Sequence, residues 1–180
     1  MTLTVDEVLA LLAGGAGNVD SADADSNIVD QLQHALQCAA VLEQAGAGAE
    51  LVAAGLVHDI GHLLPGGFHT DDHETVGAAA IRPLLGGRVA RLVELHVPAK
   101  RWLATVEAYD LSPGSALSLE IQGGRMTDAE RAAFEADPDH ADAVALRRAD
   151  EAAKDPSRPA TPADLERWRP VLVQVAAAAG

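Results

Sequence analysis

Gly55-Leu56-Val57-His58-Asp59-Ile60-Gly61-His62 is the stretch on which the reading of this chain turns. Residues 49–60 are almost wholly apolar up to His58, with Leu51, Val52, Leu56 and Val57, so a buried helix is expected there. An ionisable His58-Asp59 pair at the end of a buried helix is costly unless the two groups are paired or hold a metal ion. Taken alone, a His-Asp pair is most simply a satisfied polar pair at a helix end. The whole run, with His62 close behind, argues for more than that.

Working outward, helix signals dominate. Upstream, residues 28–45 carry Val29, Leu32, Leu36, Ala39 and Ala40 on one stripe, with His34 among them. Gly46 and Gly48 stop that helix, and residues 14–26 before it read as a polar loop. Thr4 and Glu7 form a capping box for a first helix. Downstream, Gly61, Pro65, Gly66 and Gly67 make a loop, and Thr70 or Asp71 can cap a helix running through Leu85. Gly86-Gly87 punctuates, and a helix over 88–105 follows, with a kink expected at Pro98. A short segment, 115–122, lies between two Gly-containing breaks. Thr127 with Glu130 caps a helix, Pro138 begins another to about Lys154, and residues 154–162 form a proline-rich linker. Pro162 suits the first turn of a last short helix. Ala and Leu are abundant and only 3% of residues are aromatic, which favours helices over strands. An all-α bundle is therefore expected.

Composition narrows the class. The chain has 180 residues and is 48% hydrophobic, which excludes global disorder and suits one core. A net charge of −14 excludes a nucleic-acid or anionic-membrane surface, because both need clustered cations. Cys38 is the single cysteine, so an internal disulfide framework and a thiolate zinc cluster are excluded. No basic cluster precedes the apolar residues near Met1, and no uncharged run reaches a bilayer span, so a cytoplasmic protein is expected.

The run from Gly55 to His62 resembles the HD superfamily of metal-dependent helical proteins. That resemblance implies a single HD domain over 1–180, with a metal-binding core at about 28–155 and a linker and short helix at 156–180. It implies metal ligands at His34, His58, Asp59 and Asp150, with His73 and His96 added in di-metal members and Asp59 as the bridge. Nitrogen and oxygen donors without thiolate suit iron, manganese, cobalt or zinc. His69 competes with His73, and Glu151 and Asp155 compete with Asp150. His73-Glu74 before Gly77-Ala78 resembles the family's helix start and favours His73. The string Leu146-Arg147-Arg148-Ala149-Asp150-Glu151-Ala152-Ala153-Lys154 favours Asp150. His140, among charged residues, reads as a solvated surface histidine, and Cys38 and Met126 read as core packing.

Four strings resemble one branch, the PhnZ-type mixed-valent di-iron oxygenases, relatives of myo-inositol oxygenase. They are Gln31 to Ala39, His96 to Leu103, Ser118 to Met126, and Leu146 to Lys154. The resemblance implies two iron ions, Fe(II)/Fe(III), with O2 as co-substrate, and cleavage of the carbon–phosphorus bond of a small 1-hydroxyphosphonate to phosphate and a carboxylic acid. It implies His62 and Lys100 at the reacting substrate, with Ser118, Gln122, Arg147 and Asn27 binding it. Lys100 lies one turn after His96 and Arg147 one turn before Asp150, so each shares a helix face with a ligand. Such donors are what a buried dianion needs.

The pattern departs at one place. Members acting on aminated phosphonates carry a Tyr and a Glu three residues apart, where this chain has Ala24 and Asn27. Asp30 also replaces a small hydroxyl residue. The resemblance then implies a substrate lacking the usual amine. Two other readings stay open: an HD phosphohydrolase acting on a small phosphomonoester or nucleotide, and a non-catalytic metal- or anion-binding sensor. The chain is read as a monomer or dimer.

Overall fold

The computed structural model describes residues 2–19, 29–66, 72–107, 111 and 113–180. Among the described residues there is no strand, and the fold is all-α. Its helices are α1 (Val5–Ala13), α2 (Gln31–Gln44), α3 (Ala49–Val57), α4 (His73–Val106), α5 (Pro113–Ile121), α6 (Asp128–Glu135), α7 (His140–Ala152) and α8 (Arg169–Ala179). Short 3-10 helices occupy Ile60–Leu63 and Pro162–Arg167. No helix is long and apolar enough to cross a membrane.

Local chemistry accounts for most boundaries. Capping boxes open α1 at Thr4 and α6 at Thr127, where the sequence places them. Asp30, the odd residue by family pattern, caps α2: its carboxylate accepts from Gln33 N–H, while Gln33 reaches back to the Asp30 N–H. The same carboxylate accepts from Gly17 N–H at 2.9 Å, tying the preceding loop to the helix. The cap expected at Thr70 or Asp71 lies outside the described residues. Helix α4 starts at His73 with Asp72 as its first flanking residue, without a side-chain cap.

Helices α2, α3, α4 and α7 pack on one another around the core, and α8 closes over α3 and α4. Every residue from Leu51 to Val57 in α3 is buried, as its unbroken apolar sequence implies. Leu32 and Leu36 of α2, Ile81, Leu85 and Leu92 of α4, and Leu146 of α7 fill the space around it. Ala39, Ala53, Ala54, Ala78 and Ala90 are fully buried, so small side chains let the helices approach closely. A second cluster of Leu95, Ala99, Met126, Phe134 and Ala143 joins α4 to α6 and α7.

Two boundaries differ from expectation. Helix α3 ends at Val57, short of Ile60. Asp59 has φ −100° and ψ 11°, a bridge conformation common in active sites, and the chain turns into the 3-10 helix. The kink expected at Pro98 is the second difference: Pro98 keeps helical angles, and the break lies where Gly86-Gly87 punctuates the sequence, with φ 85° at Gly86. At Gly86 the backbone occupies the left-handed region that disfavours a Cβ, and α8 presses on it through Ala179.

Gly61 is required by contact. A Cβ there would lie 2.1 Å from the backbone oxygen of His73. The 3-10 helix and the start of α4 touch backbone to backbone. We expect Gly61→Ala to lower stability by about 1–3 kcal/mol, as overpacking against fixed backbone does. Gly87, where a Cβ would meet only an Arg82 nitrogen at 3.8 Å, is the contrast: Gly87→Ala should be neutral or gain about 0.4–1 kcal/mol. Urea unfolding of the two variants checks both.

Candidate metal centre

Four helices converge on Asp59. Its Oδ2 faces His34 Nε2 at 3.6 Å and His58 Nε2 at 3.3 Å. Its Oδ1 faces His73 Nε2 at 3.4 Å and His96 Nε2 at 3.6 Å. Asp150, from α7, completes the first group with Oδ1 at 3.3 Å from His34 Nε2. One carboxylate thus serves two sets of imidazoles. His34 comes from α2, His58 from the end of α3, His73 and His96 from the two halves of α4 either side of Gly86. The break at Gly86 divides the helix that carries both imidazoles of the second group.

The donor atoms fit a cation. His34 Nδ1 lies 3.0 Å from the Ala153 carbonyl, His58 Nδ1 2.8 Å from that of Gly55 and His96 Nδ1 2.6 Å from that of Val93. Each carbonyl can only accept, so each Nδ1 carries the hydrogen and Nε2 presents a lone pair. Two of those lone pairs then meet, His34 and His58 Nε2 lying 3.2 Å apart, and the third, on His96 Nε2, lies 3.1 Å from His73 Nε2. Two lone pairs so close repel unless a positive charge lies between them. Ligands held about 2.1 Å from one ion at 90–109° are roughly 3.0–3.4 Å apart, which is this spacing.

The carboxylates favour positive charge here: although burial opposes it, Asp59 raises His58 well above the usual imidazole range, a proton that a metal ion at Nε2 would displace. Burial opposes ionisation of Asp59, yet His58 and His73 hold its carboxyl well below the usual range. Burial likewise opposes the charge on Asp150, and Arg147 with His34 outweighs it. Burial above all, with His73 adding to it, pushes His96 down to about 3, which keeps its imidazole neutral.

His62 stacks on His73 with ring centroids 4.1 Å apart and 18° between planes. Donor atoms of Asp59, His62 and His73 lie within 4.8 Å of one another, so His62 borders the second group. Lys100 is almost fully buried and donates to Ser118 Oγ and, at 2.9 Å, to Gln122 Oε1. Burial first, then the Arg147 charge, pushes Lys100 down to about 8. Arg147 Nη1 donates to Asp150 Oδ2. Lys100 of α4, Ser118 and Gln122 at the end of α5, and Arg147 of α7 therefore meet beside the candidate ligands.

Other placements were less expected. The Asp155 carboxylate is engaged elsewhere: its Oδ1 accepts from Ser157 N–H at 2.9 Å and from Ser157 Oγ at 2.6 Å. Glu151 faces Arg147 and Ser115, and Lys154 donates to Ser115 Oγ at 2.9 Å. Ser115, Glu151 and Lys154 were not picked out as pocket residues. Glu151 and Lys154 lie four and seven residues after Arg147, a spacing that puts them on its face; nothing in the sequence marks Ser115. His140 is a correction. It is half-buried, packed edge-on against Trp102 at 4.8 Å and near Phe134 at 4.7 Å, because α7 starts against the aromatic pair joining α4 and α6. Cys38 is fully buried, and burial raises its thiol pKa, as core packing implies. Ala24, Asn27 and His69 lie outside the described residues.

The shared carboxylate predicts a stoichiometry. Elemental analysis of anaerobically purified protein should find two metal ions per chain, about one in His96→Ala, and fewer than one in Asp59→Ala. Equal loss in both variants would remove Asp59 as the bridge.

A model of the HD domain matches residues 32–153. The chain is 47% identical over 137 residues to the hydroxymethylphosphonate dioxygenase of Gimesia maris, an alignment covering 70% of this chain and 68% of the relative. It is 39% identical over 136 residues to the glycine-betaine-forming [1-hydroxy-2-(trimethylamino)ethyl]phosphonate dioxygenase of Leisingera caerulea, covering 70% and 69%. The matched segment holds every residue converging on Asp59, and the chain belongs to the HD-domain family, on the branch that includes these two dioxygenases.

Proposed function

We propose that this chain is a di-iron oxygenase that cleaves the carbon–phosphorus bond of a small 1-hydroxyphosphonate, giving phosphate and a carboxylic acid. The observation that carries the reading is the shared Asp59 carboxylate lying beside a buried ammonium, Lys100, whose partners are Ser118 and Gln122. A metal pair next to a buried cation suits a substrate that is an anion at one end and is oxidised at the other. Kinship with two phosphonate dioxygenases supports the same substrate class.

His34, His58, Asp59 and Asp150 would hold one iron, and Asp59, His73 and His96 the other. When bound, the pair supplies the redox chemistry that activates O2 and an anchor for the substrate's hydroxyl and phosphonate oxygens. The protein contributes position and charge. Lys100 Nζ, as ammonium, and the Arg147 guanidinium hold phosphonate oxygens, with Ser118 and Gln122 fixing the lysine's direction. His62, stacked on His73, holds a substrate oxygen at the second metal group. The surrounding apolar faces of α2, α3 and α4 keep water from the reacting carbon.

The absent Tyr-Glu pair selects the substrate further. Ala24 and Asn27 offer neither an aromatic hydroxyl nor a carboxylate to an ammonium group. The Gimesia maris relative is named for hydroxymethylphosphonate, which has no amine. We therefore expect hydroxymethylphosphonate to be turned over faster than 2-amino-1-hydroxyethylphosphonate. For hydroxymethylphosphonate the balance is one O2 consumed, one formate and one phosphate released, with no other reductant. Oxygen-electrode and phosphate assays on the anaerobically purified protein test this. Phosphate released without oxygen uptake would point to hydrolysis and overturn it.

Lys100 sets a pH limit. With its ammonium lost above about 8, anion binding should weaken as the pH rises through that value, and kcat/KM should fall while the substrate remains a dianion. Arg147, Lys154, Asp150 and Asp59 are the charges acting on it. Lys100→Met should raise KM on the order of 10-fold or more, the worth of one hydrogen bond to a charged group, and abolish the alkaline fall.

A further inference from the structure

Glu151 has no place in the chemistry above, yet it lies at the centre of the pocket's cations. Its Oε2 accepts from Arg147 Nη2, from Ser115 Oγ at 3.2 Å and from Lys154, whose Nζ is 3.4 Å away. Ser115 Oγ closes the ring, accepting from Arg147 Nη2 at 3.2 Å and from Lys154 Nζ at 2.9 Å. Ser115 and Arg147 are buried, and Glu151 is 17% exposed at its side chain. Arg147's fork is thus split between the metal ligand Asp150 and Glu151.

This ring adjoins the Lys100 cluster. Ser118 donates to the Ser115 backbone oxygen, so the two serines stand one turn apart on α5, one beneath each cation group. The depression of Lys100, which burial begins, is deepened by the charges of Arg147 and, less, of Lys154, so the three cations act on a common space. An anion entering that space needs hydrogens that Arg147 and Lys154 now give to Glu151.

We infer that Glu151 is a specificity-determining counter-ion: it competes with the bound phosphonate, and with product phosphate, for Arg147 and Lys154, and so holds anion affinity low enough for phosphate to leave. A carboxylate a few ångströms from a dianion is repulsive, and more so where burial reduces screening. Asp150 is taken up by the proposed metal group and one arm of Arg147, so among the described residues Glu151 is the carboxylate placed to compete. The inference rests on the phosphonate reading for the identity of the anion.

Binding of inorganic phosphate, measured by calorimetry on the metal-loaded protein and as product inhibition, tests it. Glu151→Gln keeps the shape and removes the charge. Its phosphate dissociation constant should fall at least five-fold, its KM for hydroxymethylphosphonate should fall too, and kcat should drop as phosphate leaves more slowly. Damage to the fold would weaken binding, so tighter binding is a readout that a merely structural role does not produce. An unchanged or weaker phosphate constant with two metals retained overturns the inference. If Glu151→Gln fails to fold or load metal, Lys154→Gln decides: phosphate affinity should fall at least five-fold, and no change overturns the inference. A wild-type protein that binds neither phosphate nor hydroxymethylphosphonate refutes the phosphonate reading instead. Wild-type binding with an indifferent Glu151→Gln refutes only the role of Glu151.

Discussion

Everything in this molecule is arranged about the two oxygens of Asp59. A carboxylate can serve two groups of imidazoles only if its own backbone is turned out of the helix that delivers it. The bridge conformation at Asp59 does this, and it explains why α3 stops at Val57. The partners must then come from opposite sides, His34 and Asp150 from α2 and α7, His73 and His96 from α4. That convergence demands close helix approach, which the fully buried alanines allow. It also demands the backbone contact between Gly61 and His73. The glycine of the His-Asp run is therefore a packing requirement of the site.

The residues legible in the sequence are those whose role is set by helical spacing and by their own chemistry. His34, His58, Asp59 and Asp150 could be named because few residue types hold a metal and because helices place them at fixed intervals. Lys100 and Arg147 followed from sharing a face with a ligand. The all-α architecture was legible for the same reason. What was hidden depends on contacts between segments distant in sequence. His140 sits among charged neighbours, and only the packing of α7 against Trp102 and Phe134 half-buries it. Ser115 carries no signal until α5 is seen to lie beside α7. The break at Gly86 was legible because glycine can adopt a positive φ, whereas the kink expected at Pro98 is absent because a proline can keep helical angles. Asp30, which looked like a departure, is a satisfactory cap.

Helix α5 is held differently from the rest. Leu117 and Ile121 are exposed, and no described side chain of α5 belongs to either core cluster. Its described attachments are polar: Ser118 and Gln122 to Lys100, Ser115 to Arg147, Lys154 and Glu151. A hydrogen bond of this kind adds only about 0.5–1.5 kcal/mol net, or up to about 3 where a charge takes part. The helix that closes the pocket is therefore fastened by the same cations that an anion would engage. Binding and the position of α5 cannot be independent.

The net charge of −14 does not oppose the proposed anion site, because most of it lies on the surface. Arg82, Arg88, Arg91, Arg148, Arg167 and Arg169 all sit on the exterior, paired with carboxylates. Exposed pairs of that sort contribute little and are screened within about 8–10 Å at ordinary salt. The buried cations are screened far less. Lys100 and Arg147 are each 4% exposed, so a ligand that reaches them feels their charge through protein while the acidic surface lies behind water and salt. For a small dianion, affinity is decided by the few charges inside the pocket. That is why the inferred competition rests on one carboxylate, Glu151, and not on the excess outside.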